Sequence, residues 1–179
     1  MERKTASRAA TSADAPAIAA IYAHHVVHGT ATFDTAPRSL EATIAKIDEC
    51  RSRQWPFLVA EEAGQVVGYA YVTPFRDRPA YALTCENSIY VHPDAVGRGV
   101  GTRLLTALVA DATRAGFRQM VAVIGGGEPR SVALHSKVGF LPAGRLHAVG
   151  RKFGRWLDTV YLQLALGSGD TDPPPSEPG

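Results

Sequence analysis

The 179-residue sequence has only two cysteines, no apolar run of membrane-spanning length and no marked excess of either charge. Cys50 and Cys85 lie far apart and outside any CxxC spacing. That excludes a disulfide framework and a cysteine-built zinc site, and favours a reducing compartment. A stretch of roughly 20 apolar residues is missing, and residues 1–13 lack the apolar centre of a secretion signal, so a cytoplasmic protein without membrane attachment is expected. The formal net charge of +2 is too small for a nucleic-acid binder. The basic residues Arg145, Arg151, Lys152 and Arg155 are spaced by glycines and aromatics rather than gathered in a run. No Gly-Lys pair occurs, so a P-loop is excluded, and no Gly-x-Ser-x-Gly marks a serine hydrolase. No metal is expected.

What is present is a regular alternation of helical and strand periods. At 45% hydrophobic, the chain fits one domain over residues 1–166, followed by a Pro/Gly-rich tail, 167–179, with too little apolar content to order it. Asp14 and Pro16 open a helix carrying Ile18, Ile21, Tyr22 and His25 to about Val27, and a second begins at Ser39. The period then changes to two. FLVAEE (57–62), a turn at Ala63 and Gly64, and QVVGYAYV (65–72) form a hairpin, and TCENSIYV (84–91) adds a strand. On that last strand Leu83, Cys85, Ile89 and Val91 alternate with Thr84, Glu86, Ser88 and Tyr90, which puts a carboxylate opposite the greasy face. A helix runs from Val100 to a stop at Gly116, MVAVI (120–124) reads as a strand covered on both sides, and a short helix spans Pro129 to Gly139. Two strands joined by KFGRW complete the domain. The expected class is α/β of the α+β type, with one strand, two helices, three strands, helix, strand, helix and two strands in order.

HPDAVGRGVGTRLL (92–105) sets Gly97, Gly99 and Gly101 at the mouth of a helix. The spacing is GxGxG rather than the dinucleotide fingerprint, and the strands before it look antiparallel. What the pattern retains is bare N–H groups at the positive end of a helix dipole, a site for a pyrophosphate, with Arg98 or Arg103 adding charge.

Six stretches carry a resemblance: IYAHHV with TATF, FRDRPAYALTCENSIYV, the glycine turn, MVAVIGG, SVALHSKVGF and VGRKFGRWLD. In this order and spacing the chain resembles the GNAT superfamily of N-acetyltransferases, and within it the phosphinothricin and methionine sulfoximine acetyltransferase branch, over residues 7–166. The resemblance implies a mixed, mostly antiparallel central sheet of about 6–7 strands with about 4 helices. It implies acetyl-CoA as co-substrate, its pyrophosphate on Gly97, Arg98, Gly99, Val100, Gly101 and Thr102. The pantetheine arm would lie along Ile89, Tyr90 and Val91, with Glu128 and Ser131 beside it. Val96, Glu128 and Leu83 stand where relatives carry Arg or Gln, Asn, and Trp.

Acetyl transfer to an amine needs an unprotonated nucleophile, a polarised carbonyl and help for the departing thiolate. By resemblance Glu86 is the base, directly or through water, in a direct attack without an acyl-enzyme. His135 stands where many members place a tyrosine near the coenzyme sulfur. An imidazole with an ordinary pKa of about 6.5 could take the amine's proton or protonate the thiolate, or the residue could simply be packed. Arg76, Arg78 and Tyr81 with Thr84, Phe33, Lys152, Phe153 and Trp156 are expected around a small amino-acid-like acceptor, with a guanidinium suited to its carboxylate. A homodimer is implied by analogy. A non-catalytic acyl-CoA-binding module and an acetyltransferase for peptide N-termini or polyamines remain alternatives.

Overall fold

The computed structural model describes residues 5–176. In chain order the elements are β1 (Ala6–Ala9), α1 (Ala15–His28), α2 (Leu40–Ser52), β2 (Phe57–Glu62), β3 (Gln65–Pro74), β4 (Thr84–Val91), α3 (Val100–Arg114), β5 (Gln119–Gly125), α4 (Pro129–Val138), β6 (Leu141–Lys152) and β7 (Arg155–Ala165). The order is the one read from the periods. Local chemistry sets the boundaries. Ser39 Oγ accepts from Ala42 N at the start of α2, and Gly139 ends α4 in the left-handed region. Two-residue turns close two hairpins, Ala63–Gly64 and Phe153–Gly154, all four residues at positive φ. KFGRW is thus a tight turn inside a long hairpin rather than an open loop.

The seven strands form one sheet in the order β1-β2-β3-β4-β5-β7-β6. Every neighbouring pair is antiparallel except β4 with β5. Helices cover both faces. Leu58 and Ala60 of β2, with Ala70 and Val72 of β3, pack against Leu104, Leu105 and Leu108 of α3. Their alternate neighbours Phe57, Val59, Tyr69 and Tyr71 pack against Ile18, Ile21 and Val26 of α1 and Ile47 of α2. Period-two strands sandwiched this way read as continuous apolar runs.

The sheet has a gap. β4 and β5 pair at only four positions, from Thr84↔Gln119 to Asn87↔Ala122. Beyond Asn87, β4 stays with β3 as far as Val91↔Gly68, while β5 stays with β7 as far as Gly125↔Thr159. The strands therefore part, and the main chains of residues 88–91 and 123–125 face each other without pairing. Such edges can accept an extended guest as an added strand.

The segment expected to be disordered from 167 onward begins as turns against the domain. Arg118 donates to the carbonyl oxygens of Gly169 and Pro173. Residues 177–179 of that segment, and residues 1–4, lie outside the described residues.

Candidate active site

The gap opens into a crevice of about 200 Å³ lined by Phe33, Glu86, Asn87, Ser88, Ile89, Tyr90, Ser131 and His135, among others. Because strand side chains alternate, Glu86 enters from the α1/α2 face of the sheet and Asn87 from the α3/α4 face. The two meet only because the sheet is split there.

Glu86 is half-buried. Burial pushes its carboxyl upward from the ordinary range, partly offset by the positive charge of Arg76. A carboxylate with a raised pKa and no lysine or arginine bonded to it among the described residues is a better proton acceptor than a surface glutamate. Arg76 is itself held over the Phe75 ring, its Cζ 4.0 Å from the centroid.

His135 is 2% exposed. Its Nδ1 lies 2.8 Å from Ser131 O, which can only accept, so Nδ1 carries the proton. Nε2 lies 2.9 Å from Asn87 Nδ2 and takes its hydrogen bond. Burial lowers the imidazole pKa, so the ring is neutral at pH 7 with both nitrogens engaged. Tyr90 packs its ring edge-on against Tyr22 at 5.1 Å, and its main chain is paired with Tyr69 of β3, so the gap is faced by the main chains of its neighbours Ile89 and Val91. At the mouth of the gap His25, a residue read from sequence only as part of a helix face, donates from Nε2 to Val91 O at 2.9 Å.

The glycine turn leads from β4 into α3. Gly97 and Gly99 have φ of +81° and +78°, a region closed to most residues. Gly101 is different: a Cβ there would lie 3.2 Å from Leu134, so this glycine lets α4 approach α3. Among the described residues no side chain caps α3 at Gly99, whereas Glu128 caps α4 by accepting from Ser131 N at 2.8 Å. The first N–H groups of α3, at Val100, Gly101 and Thr102, are thus left for an anion. Arg98 forms an ion pair with the buried Glu62 at 3.0 Å, and Arg103 donates to Arg98 O at 3.0 Å. Both guanidiniums therefore have structural partners that the sequence did not suggest.

Of the residues expected around an acceptor, Phe33 lines the crevice from the 29–39 loop. Lys152 does not present its ammonium there. It is buried and donates to Gly29 O at 3.0 Å and Thr32 O at 2.9 Å, tying the loop to the β6–β7 hairpin. A Cβ on Gly150 would collide with the Phe33 ring. Gly150→Ala is accordingly expected to lower stability by about 1–3 kcal/mol in denaturant unfolding and to raise the acceptor KM through Phe33. An unchanged melt and KM would show that the ring moves without cost. Arg78, Tyr81, Phe153 and Trp156 are exposed and lie outside the crevice of a single chain. Thr84 sits on the paired rung with Gln119, also away from the opening.

A larger cleft, about 840 Å³, lies between the C-terminal ends of α2 and α3. Its arginines Arg51, Arg53 and Arg114 each face a carboxylate of their own helix, Asp48, Glu49 and Asp111. The convergent polar groups are in the smaller crevice.

A split sheet with a carboxylate in the split and a bare helix start beyond it can seat an extended, phosphate-bearing ligand beside a proton acceptor, as an acyl-group-transfer enzyme requires. The model described as an acetyltransferase (GNAT) domain matches residues 8–161, and the chain belongs to that family. The phosphinothricin N-acetyltransferase of Alcaligenes faecalis is 47% identical over 162 residues, covering 90% of this chain and 82% of its own length. An L-methionine sulfoximine/L-methionine sulfone acetyltransferase of Pseudomonas paraeruginosa is 41% identical over 160 residues, covering 89% of this chain and 93% of its own. Among solved structures, a phosphinothricin acetyltransferase from Sinorhizobium meliloti in complex with AcCoA superposes with a TM-score of 0.92 at 43% identity, covering 97% of this chain and 94% of that one.

Proposed function

We propose that the chain transfers an acetyl group from acetyl-CoA to the amine of a small amino-acid-like acceptor of the phosphinothricin, methionine sulfoximine or methionine sulfone type. The observation that carries this reading is the gap beyond Asn87, a pair of unpaired main-chain edges with half-buried Glu86 at its apex. The groups present fit the coenzyme. The bare N–H groups of Val100, Gly101 and Thr102 suit a diphosphate, and the edges of 88–91 and 123–125, unpaired with each other and with the Val91 carbonyl taken by His25, suit an extended amide arm. When bound, acetyl-CoA supplies an activated thioester. Glu86 would accept the proton of the acceptor's ammonium or of its attacking amine, directly or through water; the amine would attack the thioester carbonyl without an acyl-enzyme, the C–N bond forming as the C–S bond breaks, and the thiolate would leave with coenzyme A and take its proton from solvent. Main-chain N–H groups of β4 at the gap polarise the carbonyl.

Exposed apolar side chains on the β6–β7 hairpin, Leu141, Leu146, Val149, Phe153 and Trp156, support a homodimer that brings aromatic residues to a partner's crevice. Sedimentation of a monomer at micromolar concentration would remove that arrangement. Two free, buried cysteines agree with a reducing cytoplasm.

Free-thiol release with acetyl-CoA and a panel of phosphinothricin, methionine sulfoximine, methionine sulfone and common amino acids tests the activity. Turnover above a Glu86→Gln control is expected. None above that control overturns the proposal.

A further inference from the structure

On the α3/α4 face of β4, Cys85, Ile89 and Val91 belong to or pack against one apolar cluster, and Asn87 stands among them, 6% exposed. Its Nδ2 donates to His135, but its Oδ1 is buried and has no hydrogen-bond partner among the described residues. A buried acceptor left empty in this way is costly unless something arrives to fill it. Asn87 is also the last residue of β4 paired with β5, so its amide stands where the strands part and lines the crevice with Glu86 and His135.

The amide's orientation is set by a chain of three groups. Ser131 O can only accept, which places the imidazole proton on Nδ1 and a lone pair on Nε2. That lone pair can only receive an N–H, so the NH₂ end of Asn87 faces the imidazole and the carbonyl end is kept free. His135 packs edge-on against Phe140 at 5.0 Å, which fixes the ring plane. Protonating His135 would require turning the Asn87 amide over, and burial opposes the charge.

We infer that Asn87 Oδ1 binds an N–H group of the ligand threaded through the gap, and that His135 is a positioning residue holding the amide for it rather than a proton carrier. This rests on the acetyl-transfer reading above. Two sources of N–H exist in that chemistry: an amide of the pantetheine arm and the amine of the acceptor. Both would satisfy the same oxygen.

Asn87→Leu keeps the volume and removes the acceptor. It is expected to weaken one ligand roughly tenfold, the loss of a single hydrogen bond to a buried group. A raised coenzyme A Kd by calorimetry identifies the pantetheine arm; a raised acceptor KM with unchanged coenzyme A Kd identifies the amine. His135→Phe should move the same constant in the same direction, and His135→Gln, whose side-chain oxygen can accept from Asn87 Nδ2, should recover part of the loss. Asn87→Asp sets an oxygen against Nε2 and should raise the His135 pKa, read from imidazole ¹⁵N shifts. In the unsubstituted protein those shifts should show the Nδ1–H tautomer through neutral pH.

Unchanged Kd and KM in Asn87→Leu would overturn the inference. So would wild-type Asn87 side-chain amide resonances that ignore both ligands, a measurement that stands even if the variant fails to fold. Absence of thiol release by the wild-type protein counts instead against acetyl transfer, and the coenzyme A titrations and amide resonances still decide the role of Asn87.

Discussion

Glu86→Gln is expected to lower kcat by about 10²–10⁴-fold, the range for losing a positioned general base, while leaving coenzyme A affinity unchanged. The two side chains have the same shape, so the loss reports proton acceptance rather than space. Burial raises the Glu86 pKa, so the carboxylate needed for acceptance is lost on acidification sooner than an exposed glutamate would be. The acid limb of the kcat/KM profile should therefore lie above the ordinary glutamate range and vanish in the variant. Stability runs the other way. A folded-state pKa above the unfolded one means the folded chain binds this proton more tightly. The buried charge costs stability at neutral pH, and the cost is relieved as pH falls through the folded pKa. Glu86→Gln should consequently unfold no more easily than the parent at pH 7. A variant that loses activity together with stability would point to a structural carboxylate. Retained turnover would remove Glu86 from the chemistry altogether.

The second large effect is expected at Gly99. With φ of +78° and the Arg103 guanidinium 3.3 Å from the place of a Cβ, a glutamate here is strained, and its carboxylate lies beside Arg103 over the start of α3. It would occupy the position that the amides offer to a phosphate. Gly99→Glu is therefore expected to raise the coenzyme A Kd by about two orders of magnitude, roughly 2.8 kcal/mol at 1.4 kcal/mol per tenfold. Gly99→Ala separates the causes, since it carries the left-handed strain without the charge. It should lose stability while keeping most of its affinity. Equal affinities for coenzyme A in all three proteins, measured by calorimetry, would mean that the diphosphate binds elsewhere.

Part of the crevice is legible in the sequence, for local reasons. Glu86 stood out because a period-two strand showed a carboxylate opposite an apolar face. The glycine turn stands out as glycines before a helical period, which suits either bare N–H groups for a phosphate or a tightly packed connection; Gly97 and Gly99 adopt the left-handed conformation, and Gly101 serves packing. Asn87 escaped notice, although it left a trace. It is the polar residue that interrupts the series Leu83, Cys85, Ile89 and Val91, and a buried polar group among apolar neighbours calls for a partner. Lys152 was read as a ligand-facing cation, yet its partners are carbonyls at Gly29 and Thr32, more than a hundred residues earlier in the chain. Arg98 likewise had no local hint of Glu62. Pairings of that kind depend on which loops a fold brings together.

By itself the sequence determined the element order, the two faces of each strand, the ends of the helices and the class of turn before α3. All of these follow from side-chain period and backbone preference within a few residues. Only the tertiary structure decided that β4 and β5 part after four rungs, that carboxylate and imidazole approach one opening from opposite sides of the sheet, and that His135 spends both nitrogens on its neighbours. The physical reason is that these features arise from pairing between segments distant in the chain. There the cost of burying a polar group is met by whatever partner the packing supplies.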